Sequence, residues 1–210
     1  GANTVVPIEN TETKNDKIVF KSVKPDQNIR RKGEETRSGE LLLEQGRLLT
    51  SKEIGLLASQ GIASVPVFQP LRIGVISTGN ELCQPGMPLQ NGQIYDANSY
   101  LLSSLLEGWG FTVTRYPLLK DTLEATQDLL ATAKEEQDVL ISSGGVSVGD
   151  ADFVKKAVVQ LGTLNLWRVA IQPGKPLAFG AVGSTPWIGL PGNPGASLIT
   201  ALIILRPALL

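Results

Sequence analysis

From Leu71 onward, short β-rich runs alternate with longer amphipathic ones, and the β-rich runs open into loops dense in glycine. Arg72 to Ser77 is a compact apolar strand, followed by a helix over Asn98 to Trp109 with Leu101, Leu102, Leu105, Leu106 and Trp109 along one face. Phe111 to Pro117 is the next strand, and Thr122 to Glu136 the next helix. Val139 to Ile141 is a short buried strand, and Asp152 to Leu161 a further helix. Strands are expected over Leu164 to Ile171, Leu177 to Val182 and Trp187 to Leu190, before a last helix from Gly195. Repeated βα units predict an α/β domain, a mainly parallel sheet with helices on both faces. Ligands in such domains sit beyond the carboxyl ends of the strands, where the unusual loops of this sequence fall.

Residues 1 to 70 read differently, as a smaller β-rich α+β segment before the domain at 71 to 210. Thr4 to Ile8 and Lys17 to Ser22 have strand character around a polar turn at Asn10 to Asp16, and Glu40 to Leu43 and Ala63 to Phe68 read as further strands. Thr50-Ser51-Lys52-Glu53 is a capping-box start to a helix that ends at Gly61. Pro66 and Pro70 mark the boundary.

The 210 residues are 42% hydrophobic and 19% charged with a net charge of -1, ordinary globular material. That balance gives no global attraction to nucleic acid or to an anionic membrane, and no apolar run reaches membrane length. Histidine is absent, which removes imidazole triads and histidine-ligated zinc. Cys83 is the only cysteine, so an intramolecular disulfide is excluded and a reducing, cytoplasmic setting is expected. The strand-like opening Gly1 to Val6 and the apolar close Leu205 to Leu210 lead us to expect a piece of a longer protein.

Five loops carry chemistry-bearing residues. Ser142 to Asp152 has three glycines (144, 145, 149) and three serines between a buried strand and a helix. Glycine permits positive φ and lets backbone N–H groups converge on an anion at a helix N-terminus. A plain turn would also use glycine; the serines and the position favour the binding reading. Thr78-Gly79-Asn80-Glu81 follows the first strand, with Glu81 evenly balanced between function and structure. Asp96 and Asn98 precede the first helix, and one of them is a helix cap. Lys120-Asp121 ends the second strand on the same sheet edge, where Asp121 is either a cap or a site residue. Gln172-Pro173-Gly174-Lys175-Pro176 clamps a lysine between prolines, and Gly189 to Ser197 is another strand-to-helix junction rich in Pro and Gly. Glu81, Asp121, Asp150 and Asp152 would repel a phosphate unless a hard cation such as Mg²⁺ lay between them; without a cation, some are caps and surface charges.

Together the motifs STGNEL, GQIYDANSYLL, SSGGVSVGDAD, PGKP and GLPGNP, with NIRRKGEET upstream, resemble the molybdopterin molybdenumtransferases, a family related to the E domain of gephyrin. The resemblance covers essentially the whole chain. It implies a molybdopterin-binding domain and an enzyme that inserts molybdenum from molybdate into adenylylated molybdopterin and releases AMP with a divalent cation. Carried over by position, Glu81, Asp121, Asp152 and Lys175 are the catalytic residues, with Asp121 and Asp152 as ligands to Mg²⁺. Thr78, Gly79, Asp96, Ser143, Gly144, Gly145, Ser147, Gly149, Pro173, Gly174, Pro191, Gly192, Asn193 and Pro194 are the cofactor-binding positions. Glu35 stands where many relatives carry aspartate, and Gln172 where some carry lysine. Such proteins continue before the equivalent of Gly1 and into a C-terminal β domain after Leu210, and their pockets are completed across a homodimer. Two other readings stand beside this one: a molybdopterin adenylyltransferase, which in the main reading is instead an upstream partner, and a non-catalytic pterin-binding module. The segment at 1 to 70 resembles only the transferase side.

Overall fold

The computed structural model describes residues 2–20, 22–145 and 152–210. The chain divides into two compact units, Gly1–Val67 and Phe68–Leu210.

In the first unit, β1 (Thr11–Lys14) and β2 (Lys17–Phe20) form an antiparallel hairpin. The turn is only Asn15-Asp16, with φ of 50° and 56°. Positive φ at both central residues matches the right-handed twist of the strands, and Asn and Asp tolerate it. The expected turn at Asn10 to Asp16 is therefore shorter, because Thr11 to Lys14 pairs instead of looping. Thr4 to Ile8 is not a strand. Val5 N–H donates to Gln27 O (3.0 Å) and Asn28 Nδ2 to Val5 O (2.9 Å), so this segment is tied to a turn rather than to a ladder. Glu40 to Leu43 and Ala63 to Phe68 also lack strand partners among the described residues, and β-propensity without a neighbour makes no sheet.

Helix α1 (Ser51–Ser59) begins at the expected capping box. Glu53 accepts from the Thr50 backbone N–H (3.0 Å), from the Thr50 hydroxyl, and from Arg47 Nε and Nη2 (3.0 and 2.7 Å). Its side chain is only 6% exposed.

The second unit holds β3 (Arg72–Ser77), β4 (Leu82–Cys83), β5 (Ile94–Tyr95), α2 (Asn98–Gly108), β6 (Thr112–Arg115), α3 (Leu123–Glu136), β7 (Val139–Ser143), α4 (Phe153–Leu161), β8 (Gly162–Trp167), β9 (Ala178–Val182), β10 (Thr185–Leu190) and α5 (Pro194–Thr200). The last helix widens to π geometry over Ala201–Leu205 and closes as α6 (Arg206–Leu209). Pro207 lacks an N–H and its ring crowds the carbonyl four residues back, which accounts for the widened turn before it. The sheet order is β6-β3-β7-β10-β9-β8; the first four strands are parallel, and β9 and β8 add on antiparallel. β4 and β5 form a separate parallel pair.

Side chains of a strand alternate between faces, so each central strand feeds two cores. Ile73, Val75, Val139, Ile141, Ile188 and Leu190 pack with Leu102 and Leu106 of α2 and with Ala201 and Leu205. Ile76, Leu140 and Trp187 pack on the other face with Leu130 and Ala133 of α3 and Val154, Ala157 and Val158 of α4. This is the α/β architecture expected, with helices on both faces. The strand expected at Leu164 to Ile171 starts and ends earlier, at Gly162–Trp167, with a bulge between Leu164 and Leu166.

Thr50 first, then Arg47, holds the Glu53 carboxyl down at a pKa of about 2, from an ordinary 4.5. A depressed acid contributes stability that is present above its unfolded value and lost as pH falls through the folded one. Titration of the Glu53 carboxyl by NMR is expected to show a midpoint near 2, with protection of the α1 amides falling between 4.5 and 2. Glu53→Gln should remove that pH dependence; an ordinary carboxylate midpoint would refute the arrangement.

Candidate functional site

The chain runs from β3 outward to β6 by way of α2, then returns past β3 to β7 by way of α3. The direction of winding therefore reverses between β3 and β7, which opens a crevice at their carboxyl ends. Register levels the loops at that crevice. Ser77 pairs with Ser143, and Ser143 with Leu190, so Thr78, Gly144 and Pro191 each lie one residue beyond the same row.

Two of these loops touch. Gly144 N–H donates to Leu190 O (3.2 Å), and a methyl group added at Gly192 would lie 3.7 Å from Gly144 Cα. Between them lies a cavity of about 370 Å³ lined by Gly144, Gly145, Pro176, Pro191, Gly192, Asn193 and Ala196. That is large enough for a small ligand. Gly145 has φ +66°, and a Cβ there would lie 2.6 Å from Val154, the second residue of α4. Only glycine lets the loop approach the helix this closely. The Pro-Gly-Lys-Pro loop is held in the same way: a Cβ at Gly174 would lie 2.5 Å from Thr200 of α5. Asn193 caps the last helix, accepting at Oδ1 from Gly195 and Ala196 N–H (3.0 and 3.2 Å), with Pro194 at the first helical position.

The acidic residues divide by environment. Asp152 caps α4, its Oδ1 accepting from Lys155 N–H at 3.0 Å, while Oδ2 is buried with no hydrogen-bond partner among the described residues. Burial pushes its pKa up to about 6 from 3.8, and the charge of Asp121 adds to the rise. The Lys155 amide and the Lys155 and Lys156 charges oppose it. Asp121 is not the cap of α3; Thr122 is, accepting from Ala125 N–H (3.3 Å). Asp121 instead accepts from the Thr78 hydroxyl (3.3 Å), and its N–H donates to Asn80 Oδ1 (3.4 Å). Thr78 forms a parallel bridge with Leu119, which draws the loop after β6 to the loop after β3. Glu81 is exposed and its carboxylate lies back over Gly79, where an added Cβ would meet an oxygen at 2.7 Å.

Two interacting carboxylates, one with an orphaned buried oxygen, form a donor set that suits a hard cation. Among the described residues no three acidic, cysteine or histidine side chains gather into a metal cluster. Mg²⁺ commonly binds through one or two carboxylates, with substrate phosphates completing its shell, so the residues present fit it.

Asp96 is 4% exposed and fully engaged inside the fold: it accepts from Ser77 Oγ (3.3 Å), Ser99 N–H (3.1 Å) and Ser99 Oγ (2.6 Å), and so does the capping work at α2. Asn98 is not a cap. Lys175 is exposed, with no ion pair among the described residues; its carbonyl accepts from Val169 and Leu177 N–H (both 3.1 Å). Pro173 follows a cis peptide bond. Ser147 and Gly149 lie outside the described residues, as does Asp150. Pro176 and Ala196 line the cavity but were not singled out from sequence, although both sit in motifs that were.

A mainly parallel sheet with glycine- and proline-rich loops gathered at its switch point defines an α/β domain of the kind that takes ligands beyond the carboxyl ends of its strands. Comparison with known proteins narrows this class. Residues 74–210 match the family described as probable molybdopterin binding domain, and residues 1–61 match the MoeA N-terminal region (domain I and II). The chain belongs to the molybdopterin-binding domain family. It is 46% identical over 184 residues to a molybdopterin molybdenumtransferase of Haemophilus influenzae, covering 88% of this chain and 46% of that protein. It is 36% identical to molybdopterin molybdenumtransferase 2 of Mycobacterium tuberculosis, covering 100% of this chain and 53% of that one. The crystal structure of a molybdopterin biosynthesis MoeA protein from Pyrococcus horikosii superposes with a TM-score of 0.76 at 34% identity, over 99% of this chain and 52% of that chain. A molybdenum cofactor biosynthesis protein B shares the fold, with a TM-score of 0.52 at 21% identity over 67% of this chain and 92% of its own. The chain spans about half the length of the curated relatives it matches.

Gly145→Ala is expected to destabilise the second unit by about 1–3 kcal/mol, from positive φ together with overpacking. Urea unfolding followed by the fluorescence of buried Trp187 measures it; an unchanged midpoint would show that the loop does not need its close approach to α4.

Proposed function

We propose that this chain carries the pterin- and phosphate-binding part of a molybdopterin molybdenumtransferase. In this reading molybdenum passes from molybdate to the dithiolene of adenylylated molybdopterin, and AMP is released. The observation that carries it is the cavity between Gly144-Gly145 and Gly192-Asn193, whose glycine- and proline-rich walls bring main chain close to a ligand. Ser143 ends the strand that leads into Gly144, and Pro194 opens the helix after Asn193; Ser147 and Gly149 enter this reading by the sequence resemblance alone, and Pro173 and Gly174 belong to the loop that presents Lys175. Thr78 and Gly79 border the crevice, and Asp96 fixes α2 beside it.

The chemistry asks the protein for positioning and charge rather than for a nucleophile. Lys175 supplies positive charge toward the phosphate. Asp121 and Asp152 would hold Mg²⁺, which when bound neutralises charge on the phosphate oxygens. Thr78, by its hydrogen bond, fixes the orientation of Asp121. Glu81 provides a further carboxylate at the end of β3, for orienting the substrate or moving a proton. We further propose a homodimer, an upstream molybdopterin adenylyltransferase as supplier of the substrate, and a cytoplasmic location. No helix among the described residues is long and apolar enough to cross a membrane.

A second reading is a module that binds pterin without turnover: it needs only the cavity and asks nothing of Glu81 and Lys175, both of which are exposed. An adenylyltransferase is disfavoured by the match of residues 1–61 to the MoeA N-terminal region. Purified protein given adenylylated molybdopterin, molybdate and Mg²⁺ separates the three. Molybdate-dependent AMP release supports the transferase, ATP-dependent adenylylation the second enzyme, and binding without either the module. Asp152→Asn should lower the rate of AMP release by about 100-fold, the scale of losing one preorganised charge. It should also abolish the Mg²⁺ titration heat seen in the presence of AMP. Unchanged values in Asp152→Asn would remove that residue from the site.

A further inference from the structure

Asn98 opens α2 without capping it: the residue before the helix is Ala97, whose side chain makes no cap bond, and Asp96 accepts from the Ser99 N–H instead. Its amide is occupied elsewhere. Nδ2 donates to Ser143 Oγ at 2.7 Å and to Gly192 O at 2.7 Å. An amide nitrogen has two hydrogens, so both are used. Ser143 is the last residue of β7, immediately before Gly144, and Gly192 lies in the loop after β10. One side chain from a third element thus joins the two loops that wall the cavity.

Asn98 is only 9% exposed, so these bonds are shielded from competing water. Its orientation is fixed by chemistry: turning the amide over would set its oxygen against the Gly192 carbonyl. Oδ1 is buried without a hydrogen-bond partner among the described residues, and there the residue bears a desolvation cost that an apolar residue of similar size would avoid. Among the described residues the two loops are otherwise joined by the hydrogen bond from Gly144 N–H to Leu190 O, at 3.2 Å.

We propose that Asn98 is a positioning residue that ties the Gly144 loop to the Gly192 loop and so sets the shape of the cavity. Its consequence for ligand affinity rests on the pterin-phosphate reading above. The tie itself does not.

The test uses the whole chain with Asn98→Leu, Ser143→Ala and the double variant. Amide exchange by NMR without ligand reads Gly144 in one loop, and Gly195 and Ala196, the α5 amides capped by Asn193 at the end of the other. Asn98→Leu is expected to speed exchange in both loops by about tenfold or more while α2 keeps its protection. Ser143→Ala should speed exchange at Gly144 and add nothing once Asn98 is gone. Calorimetric titration with AMP and Mg²⁺ should show Kd raised by about ten- to a hundredfold in Asn98→Leu, with an unchanged thermal midpoint. If Asn98→Leu does not fold, Ser143→Ala carries the test alone. Unchanged exchange in both loops, or fully additive effects of the two substitutions, overturns the proposal. A wild-type chain that binds no AMP, with loops that still loosen in Asn98→Leu, would remove the ligand reading and support the tie.

Discussion

The parallel pairing of β3, β7 and β10 puts Ser77, Ser143 and Leu190 in one row across the sheet, and the arrangement of the site depends on that row. A slip of one residue in either ladder would turn each side chain to the opposite face. Trp187 would then leave its apolar core and lose the bond from its indole N–H to Ser142 Oγ, 3.2 Å long. Ile73, Val75, Ile188 and Leu190 would exchange faces with residues that do not fit there. Core packing therefore fixes the register, and the register sets the heights at which Thr78, Gly144 and Pro191 begin their loops.

Above that row the structure accepts features that work against stability. Among the described residues Asp152 keeps a buried carboxyl oxygen and Asn98 a buried amide oxygen without a partner, and Gly145 occupies a conformation that side chains avoid. Each costs free energy in the isolated domain, and each lies at the crevice where the strand order reverses. Unsatisfied and strained groups beside a crevice are what a ligand site uses, although Gln137 Oε1 at the opposite edge is also buried without a partner among the described residues. That opposite edge is closed by Arg72 and Asp138, a bidentate pair with contacts of 3.2 and 2.8 Å at the start of the β3–β7 ladder.

Much of this is legible in the amino-acid sequence. The alternation of apolar runs located the main helices of the second unit and its sheet strands, because periodicity reports which face of an element is buried. The glycine-rich loops were legible because few residue types tolerate close main-chain approach. Strand assignments failed in the first unit at Thr4 to Ile8, Glu40 to Leu43 and Ala63 to Phe68. There β-propensity was present, but a strand exists only when a partner lies alongside it. The capping box at Thr50 and Glu53 was readable because both partners lie within three residues.

The sequence alone determined the order of elements, the faces they bury and the loops that gather at one end of the sheet, all of which follow from local spacing and side-chain type. It left open which acidic and amide residues near those loops are caps and which are not. Asp121, Asp152, Asp96 and Asn98 all precede or open helices and look alike in one dimension. Only the tertiary structure separated them: Asp96 is consumed by Ser77 and Ser99, Asp121 is released from capping by Thr122, Asp152 caps with one oxygen and leaves the other bare, and Asn98 reaches across to Ser143 and Gly192. Hydrogen bonds between residues 45 and 94 positions apart depend on how the sheet brings distant segments together, and no local pattern encodes them.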